Sequence, residues 1–264
     1  MKFLDSFKLK TPFFISLAVD AVSFSLLALV FYLFAQYMQT KAILLSGGRT
    51  AEQIQQMLLT APTEVVQSFS NDLKSLFYIM VVGGLLLIIA SLFLYTFSRA
   101  YLWNTLLKKK FSKKNYWRWN GLYLLIMLIS VLYAGLVFIV SFLLSSLIAL
   151  IPEPNTVALL TKTLNSGFWM LFLIFIFITS YYFAKNYKVF RSLGEAFQSF
   201  NKRWPSLWRL FLWSLLILVA LGFVNFGVTR YLIFRQTPLF VYNFIITILY
   251  LSWLRLYVFK SLSQ

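Results

Sequence analysis

The chain has 264 residues, of which 61% are hydrophobic and 12% charged, against about 25% charged in an ordinary soluble domain. That excludes a water-soluble globule, and a chain this apolar is not disordered either. It has no Cys and no His, so disulfides, thiolate chemistry, the usual structural zinc and imidazole general bases are excluded as well.

Long charge-free runs punctuate the chain. There are 24 residues between Lys74 and Arg99, 34 between Arg118 and Glu153, and 22 between Lys162 and Lys185. A further 20 lie between Arg209 and Arg230, and 19 between Arg235 and Arg255. The first apolar run, from Pro12 to about Tyr37, is broken only by Asp20. A helix needs roughly 20 apolar residues to cross a bilayer. Backbone groups in hydrocarbon must be satisfied within the segment, so the runs are helices. A barrel would show alternating segments of about ten residues, and none occur. The expected fold is all-α: a polytopic transmembrane helical bundle forming one integral membrane domain over residues 1–264. Its spans are expected at about 12–37, 75–98, 120–150, 164–184, 206–228 and 237–259. The first resembles a signal peptide, but it is too long for one and bulky Phe31, Tyr32, Leu33 and Phe34 stand where a cleavage site would be. It is expected to stay as a span.

The 24 basic residues outnumber seven acidic ones and give a net charge of +17. Divided among alternate connections, 18 cations fall on one side of the six spans and 6 on the other. This bias predicts cytoplasmic N- and C-termini in a plasma membrane. The basic side holds Lys108, Lys109, Lys110, Lys113, Lys114, Arg118, Lys202 and Arg203, which are expected to contact anionic lipid. Topology accounts for these cations, so nucleic acid is not an expected partner.

The opposite side carries the longest connection, about 38–74. Ser46-Gly47-Gly48 reads as a turn. Thr50 and Gln53 form a capping-box pattern, and a short helix is expected over 51–60 with Ile54, Met57 and Leu58 on one face. Pro62 ends or restarts it. Val65, Phe69, Leu73 and Leu76 then recur at helical spacing, so the second span is expected to begin outside the membrane. This connection reads as a packed cap or as a ligand-binding loop.

On the basic side, Ser192 and Glu195 read as a second capping box. Leu193, Phe197, Phe200 and Trp204 lie on one stripe, the pattern of an interfacial helix at about 192–204. Pro205 suits the first turn of the next helix, and Trp208 is expected at headgroup level. Phe111, Lys113, Lys114 and Trp119 are echoed, 89 positions on, by Phe200, Lys202, Arg203 and Trp208. A fainter echo, Phe7, Lys10 and Pro12, precedes the first span. Three hairpin repeats are one reading, and chance in a chain with 29 Phe is the other. The elbow Leu193-Gly194-Glu195-Ala196-Phe197, followed by Lys202-Arg203-Trp204-Pro205 and an apolar span, resembles an element of six-span membrane families of bacteria and archaea. These include the membrane region fused to some glycerophosphodiester phosphodiesterases. The resemblance covers roughly 30 residues and the span count. It implies a helical integral membrane protein and transfers no catalytic residue.

Asp20 is the one acidic residue expected inside a span, about 12 Å along the first helix at 1.5 Å per residue. At that depth a carboxylate must be protonated, paired or in a wet cavity. Arg255 is the expected partner by depth and Arg209 the second choice. Asn225 and Asn243 are expected to hydrogen-bond between helices. Gly83, Gly84, Ala134, Gly135, Ser141, Ser145 and Gly222 are expected to permit close helix approach. Intramembrane proteolysis would need His, a metal or a second Asp in the spans. Phosphate-binding glycine motifs are absent, and no metal or other cofactor is expected. The chain therefore reads as non-catalytic, with a basic cytoplasmic face meeting anionic lipid or a protein partner the sequence does not name. The alternative is a permease or a lipid or small-solute transporter with a site between helices near Asp20.

Overall fold

The structure is a computed structural model that describes residues 11–148, 153–232 and 235–263. Among them are eight helices and no strand: α1 (Thr11–Ser46), α2 (Ala51–Thr60), α3 (Thr63–Leu106), α4 (Lys113–Ile148), α5 (Pro154–Asn186), α6 (Val189–Lys202), α7 (Trp204–Leu232) and α8 (Gln236–Leu262). All except α2 and α6 are long and apolar enough to cross a membrane. Lys2, Lys8, Lys10, Asp5 and Phe7 lie outside the described residues. The helices overrun the predicted spans: α3 has 44 residues, about 66 Å at 1.5 Å per residue, roughly twice the ~30 Å hydrocarbon core.

Local chemistry sets the breaks. After α1, Gly47 and Gly48 take φ of 58° and 74°, a left-handed geometry costly for other residues. The Thr50–Gln53 capping box forms, with Thr50 Oγ1 accepting from the Gln53 backbone N–H and Thr50 N–H donating to Gln53 Oε1. Ile54, Met57 and Leu58 are the half-buried residues of α2. Pro154 starts α5 and Pro205 stands in the first turn of α7, where the missing N–H costs no helical bond.

The chain divides into two compact units. One comprises residues 1–21 and 96–264, hence the start of α1, the end of α3 and all of α4–α8. α5 is its centre: 61% of its most apolar window is buried, against 39% in α8 and less in every other long helix. Ile174, Ile178, Tyr181, Phe183 and Ala184 of α5 are fully enclosed, with the Trp103 ring against Tyr181 and the Trp119 ring against Phe183. The outward faces of α4 and α7 carry exposed Leu132, Phe138, Phe142, Phe223 and Phe226. In water such faces would aggregate, and in a bilayer they meet acyl chains.

The other unit, residues 22–95, holds the rest of α1, α2 and the first three-quarters of α3. Gly83 marks a tight approach in it, where a Cβ would fall 2.7 Å from the Phe34 ring. A Cβ at Gly84, Gly135 or Gly222 would meet nothing within 4 Å. Those three glycines therefore do not mark close contacts in this chain, and Ser145 bonds back to its own helix at Phe142 O.

The second expected capping box does not form. Tyr187 adopts a left-handed conformation at the end of α5, so α6 begins at Val189, a turn before Ser192. The Ser192 hydroxyl then donates to Lys188 O (2.6 Å) and Asn186 Oδ1 (2.9 Å). The Glu195 carboxylate accepts from Arg191 and Asn186 instead. Small Ser192, Ala196 and Ser199 pack inward with Leu193, while Phe190, Phe197 and Trp204 face out.

Candidate functional site

The start of α1 contributes two fully buried polar side chains, Ser16 and Asp20, one turn apart. α8 contributes Ser252 and Arg255 from the same kind of face, and α3 contributes Arg99. Four donors converge on one carboxylate. Arg255 Nη1 lies 2.8 Å from Asp20 Oδ2 and Nη2 lies 3.3 Å from Oδ1. Arg99 Nη1 lies 2.6 Å from Oδ1, and Ser252 Oγ donates to Oδ2 at 3.0 Å. Arg255 Nη1 also donates to Ser16 Oγ at 2.7 Å, and its guanidinium lies 5.2 Å from the Phe177 ring centroid. A carboxylate offers about four lone-pair sites, so this one is filled. The arrangement ties α1 to both α3 and α8 in the low-dielectric interior.

The structure thus brings Asp20 and Arg255 together, as their depths suggest. Arg209 is exposed and takes no part. Arg99 is the residue that sequence reasoning missed. It reads as a loop cation because the span estimate ends at 98, but α3 continues to Leu106 and keeps Arg99 inside the bundle, 1% exposed. Asn225 and Asn243 do not bridge helices among the described residues. Asn225 Oδ1 accepts from Thr229 Oγ1 one turn along its own helix, and at Asn243 the backbone carbonyl accepts from Thr247. Both asparagines are half-buried.

The remaining predicted residues cluster at one end of the same unit, where α3, α5 and α8 end and α4 and α7 begin. Lys109 Nζ donates to Ala184 O and Lys185 O at the close of α5, and Tyr187 donates to Asn104 of α3. Tyr182 bonds Ser199 of α6, and Arg203 Nη1 reaches Leu262 O of α8. On this end Lys108, Lys110, Lys113, Lys114, Arg118, Lys202 and Arg203 are exposed, together with Lys185, Lys188, Arg191 and Arg209. Trp117, Trp204 and Trp208 stand exposed among them, as aromatic residues do at a membrane–water boundary.

Lys109 departs from the lipid-contact role. Its ammonium is turned inward onto the C-terminal carbonyls of α5 and lies 5.0 Å over the Tyr187 ring. Burial first, and the neighbouring Lys185 charge second, hold its pKa below the usual lysine range. A cation placed there satisfies carbonyls that have no helical donor and opposes the helix dipole. Lys109→Met is expected to cost about 0.3–1 kcal/mol and to speed amide exchange at 185–188. Unchanged exchange there would show that the ammonium is not a cap.

Among the described residues no group of three or more acidic side chains could hold a metal. No family model, curated protein or solved structure matches the chain. Fold and composition together define it as a polytopic α-helical membrane protein.

Proposed function

We propose that the chain is a non-catalytic multi-pass protein of the plasma membrane whose basic end lies on the cytoplasmic side against anionic headgroups. One observation carries this reading: eleven exposed Lys and Arg side chains share one end of a unit with three exposed Trp. Each cation near an anionic surface contributes about 1 kcal/mol, and the indoles fix the depth at which the cations stand. Both ends of the chain are then cytoplasmic, and α2 lies on the far side. The resemblance of the 193–205 elbow to prokaryotic six-span families supports the same class. A permease path through Asp20 is disfavoured, because a substrate would have to displace four donors from a carboxylate with no exposed surface.

Two measurements test the reading. With no native Cys, Gln55→Cys is expected to react with an impermeant maleimide only from outside, and Lys113→Cys only from the cytoplasmic side. The reverse pattern sinks the orientation. In nanodiscs containing equal phosphatidylglycerol and phosphatidylcholine, the annular lipid is expected to be enriched in phosphatidylglycerol. Changing Lys113, Lys114 and Lys202 together to Gln is expected to reduce that enrichment. Equal composition in both proteins would remove the lipid-binding role.

A further inference from the structure

The unit formed by residues 22–95 contains a groove of about 840 Å³ lined by Met38, Gln39 and Ala42 of α1 and by Leu73, Lys74, Leu76, Phe77, Tyr78 and Met80 of α3. That volume lies in the upper part of the roughly 300–1,000 Å³ range typical of small-ligand sites. The two helices run antiparallel across it, so its two ends differ chemically. At one end stand Ala42, Leu73 and Lys74, with exposed Lys41 adjoining. Toward the other end the lining becomes Met38, Phe77 and Met80, and beyond Met80 the Phe34 ring rests on Gly83. From Lys74 to Gly83 is nine residues along α3, about 14 Å at 1.5 Å per residue. The groove therefore has a cationic mouth, an apolar length and an aromatic stop.

We infer that this groove seats one acyl chain of an anionic phospholipid, with the phosphate held by the Lys74 ammonium. The groove's polarity selects this occupant. The slot is apolar and lies on helices long and apolar enough to cross a membrane, so the occupant its length fits is hydrocarbon. A zwitterionic phospholipid brings its own ammonium to the mouth beside Lys74, whereas an anionic one brings net negative charge, so charge complementarity favours the anionic headgroup. Asp72 does not supply that charge, since it stands two residues away, about 200° around the helix, and is not in the lining. Met38 and Met80 suit a flexible chain, because unbranched thioethers adapt to an irregular partner. This site belongs to the other compact unit and does not rest on the lipid-facing role of the basic end.

The test is native mass spectrometry of protein released from nanodiscs of equal phosphatidylglycerol and phosphatidylethanolamine with matched chains. Wild type is expected to retain one phosphatidylglycerol in preference to phosphatidylethanolamine. Ala42→Trp, which fills the slot from an exposed position, is expected to lose it. Lys74→Gln is expected to lower its occupancy about fivefold, the equivalent of the ~1 kcal/mol one cation contributes at an anionic surface. Lys74 is exposed, so that variant folds and reads out independently of the tryptophan. Lys113→Gln at the basic end is expected to leave the retained lipid in place. No retained phosphatidylglycerol in wild type, equal retention of phosphatidylethanolamine, or retention unchanged in both variants would overturn the inference. Loss in Lys74→Gln with full retention in Ala42→Trp would overturn the acyl-chain seat. The opposite split would overturn the headgroup contact.

Discussion

Asp20→Ala is expected to destabilise the protein by about 3–5 kcal/mol, the range for leaving a buried ion without its partner. The variant leaves the guanidiniums of Arg99 and Arg255 beside each other, both 1% exposed, without the carboxylate that now lies between them. Asp20→Asn is expected to cost nearly as much, since an amide can accept a hydrogen bond but returns no charge. Ser252→Ala removes one neutral donor and is expected to cost about 0.6 kcal/mol, the average for a hydrogen bond between membrane helices. The readout is the denaturation midpoint in mixed micelles titrated with sodium dodecyl sulfate.

A charge-balanced variant separates electrostatics from packing. In Asp20→Asn, Arg99→Gln, Arg255→Gln no ion remains to be stranded, so much of the loss is expected to return. Pairwise cycles of Asp20→Asn with each arginine are expected to show couplings of about 0.5–3 kcal/mol. If the triple variant is as unstable as the sum of its parts, the three residues act by shape and not by charge.

The spans were legible because a charge is expensive in hydrocarbon, so charge-free length reports burial in lipid directly. The Asp20–Arg255 contact was legible for the same reason: one costly acid at a known depth needs one cation at that depth. Arg99 was not, because a cation at the end of a span has two equal explanations, membrane orientation and a buried pair. Only the seven further residues of α3 decide between them. Lys109 shows the same ambiguity inside a run of three lysines, where the neighbours Lys108 and Lys110 are exposed and the middle one caps a helix. Ser192 and Glu195 had the spacing of a capping box, but the left-handed turn at Tyr187 started the helix earlier, and nothing in the local residue types announces that turn. The groove near Lys74 depends on two helix segments, 38–42 and 73–80, that are distant in sequence, and it has no sequence pattern of its own.

Trp117 and Trp119 make the sharpest case. They stand two residues apart in the first turns of α4, between the same cations, and composition alone treats them alike. Trp117 is 58% exposed and Trp119 is completely buried. The Trp119 ring stacks on Tyr123 at 5.8 Å and meets the edge of Phe183 at 4.7 Å, binding α4 to the central helix α5. Trp208, its counterpart in the 89-residue echo, is 44% exposed, so the matched positions occupy unlike surroundings. Trp119→Ala is expected to cost about 3–5 kcal/mol, because the cavity left at a helix–helix contact adds to the lost burial. Trp117→Ala is expected to stay within about 0.5 kcal/mol in the same micelle titration, as surface changes usually do. It should act instead on membrane placement, shifting the depth of α4 that a spin label at Lys113→Cys reports. Equal destabilisation by the two substitutions would show that Trp119 does not hold α4 against α5.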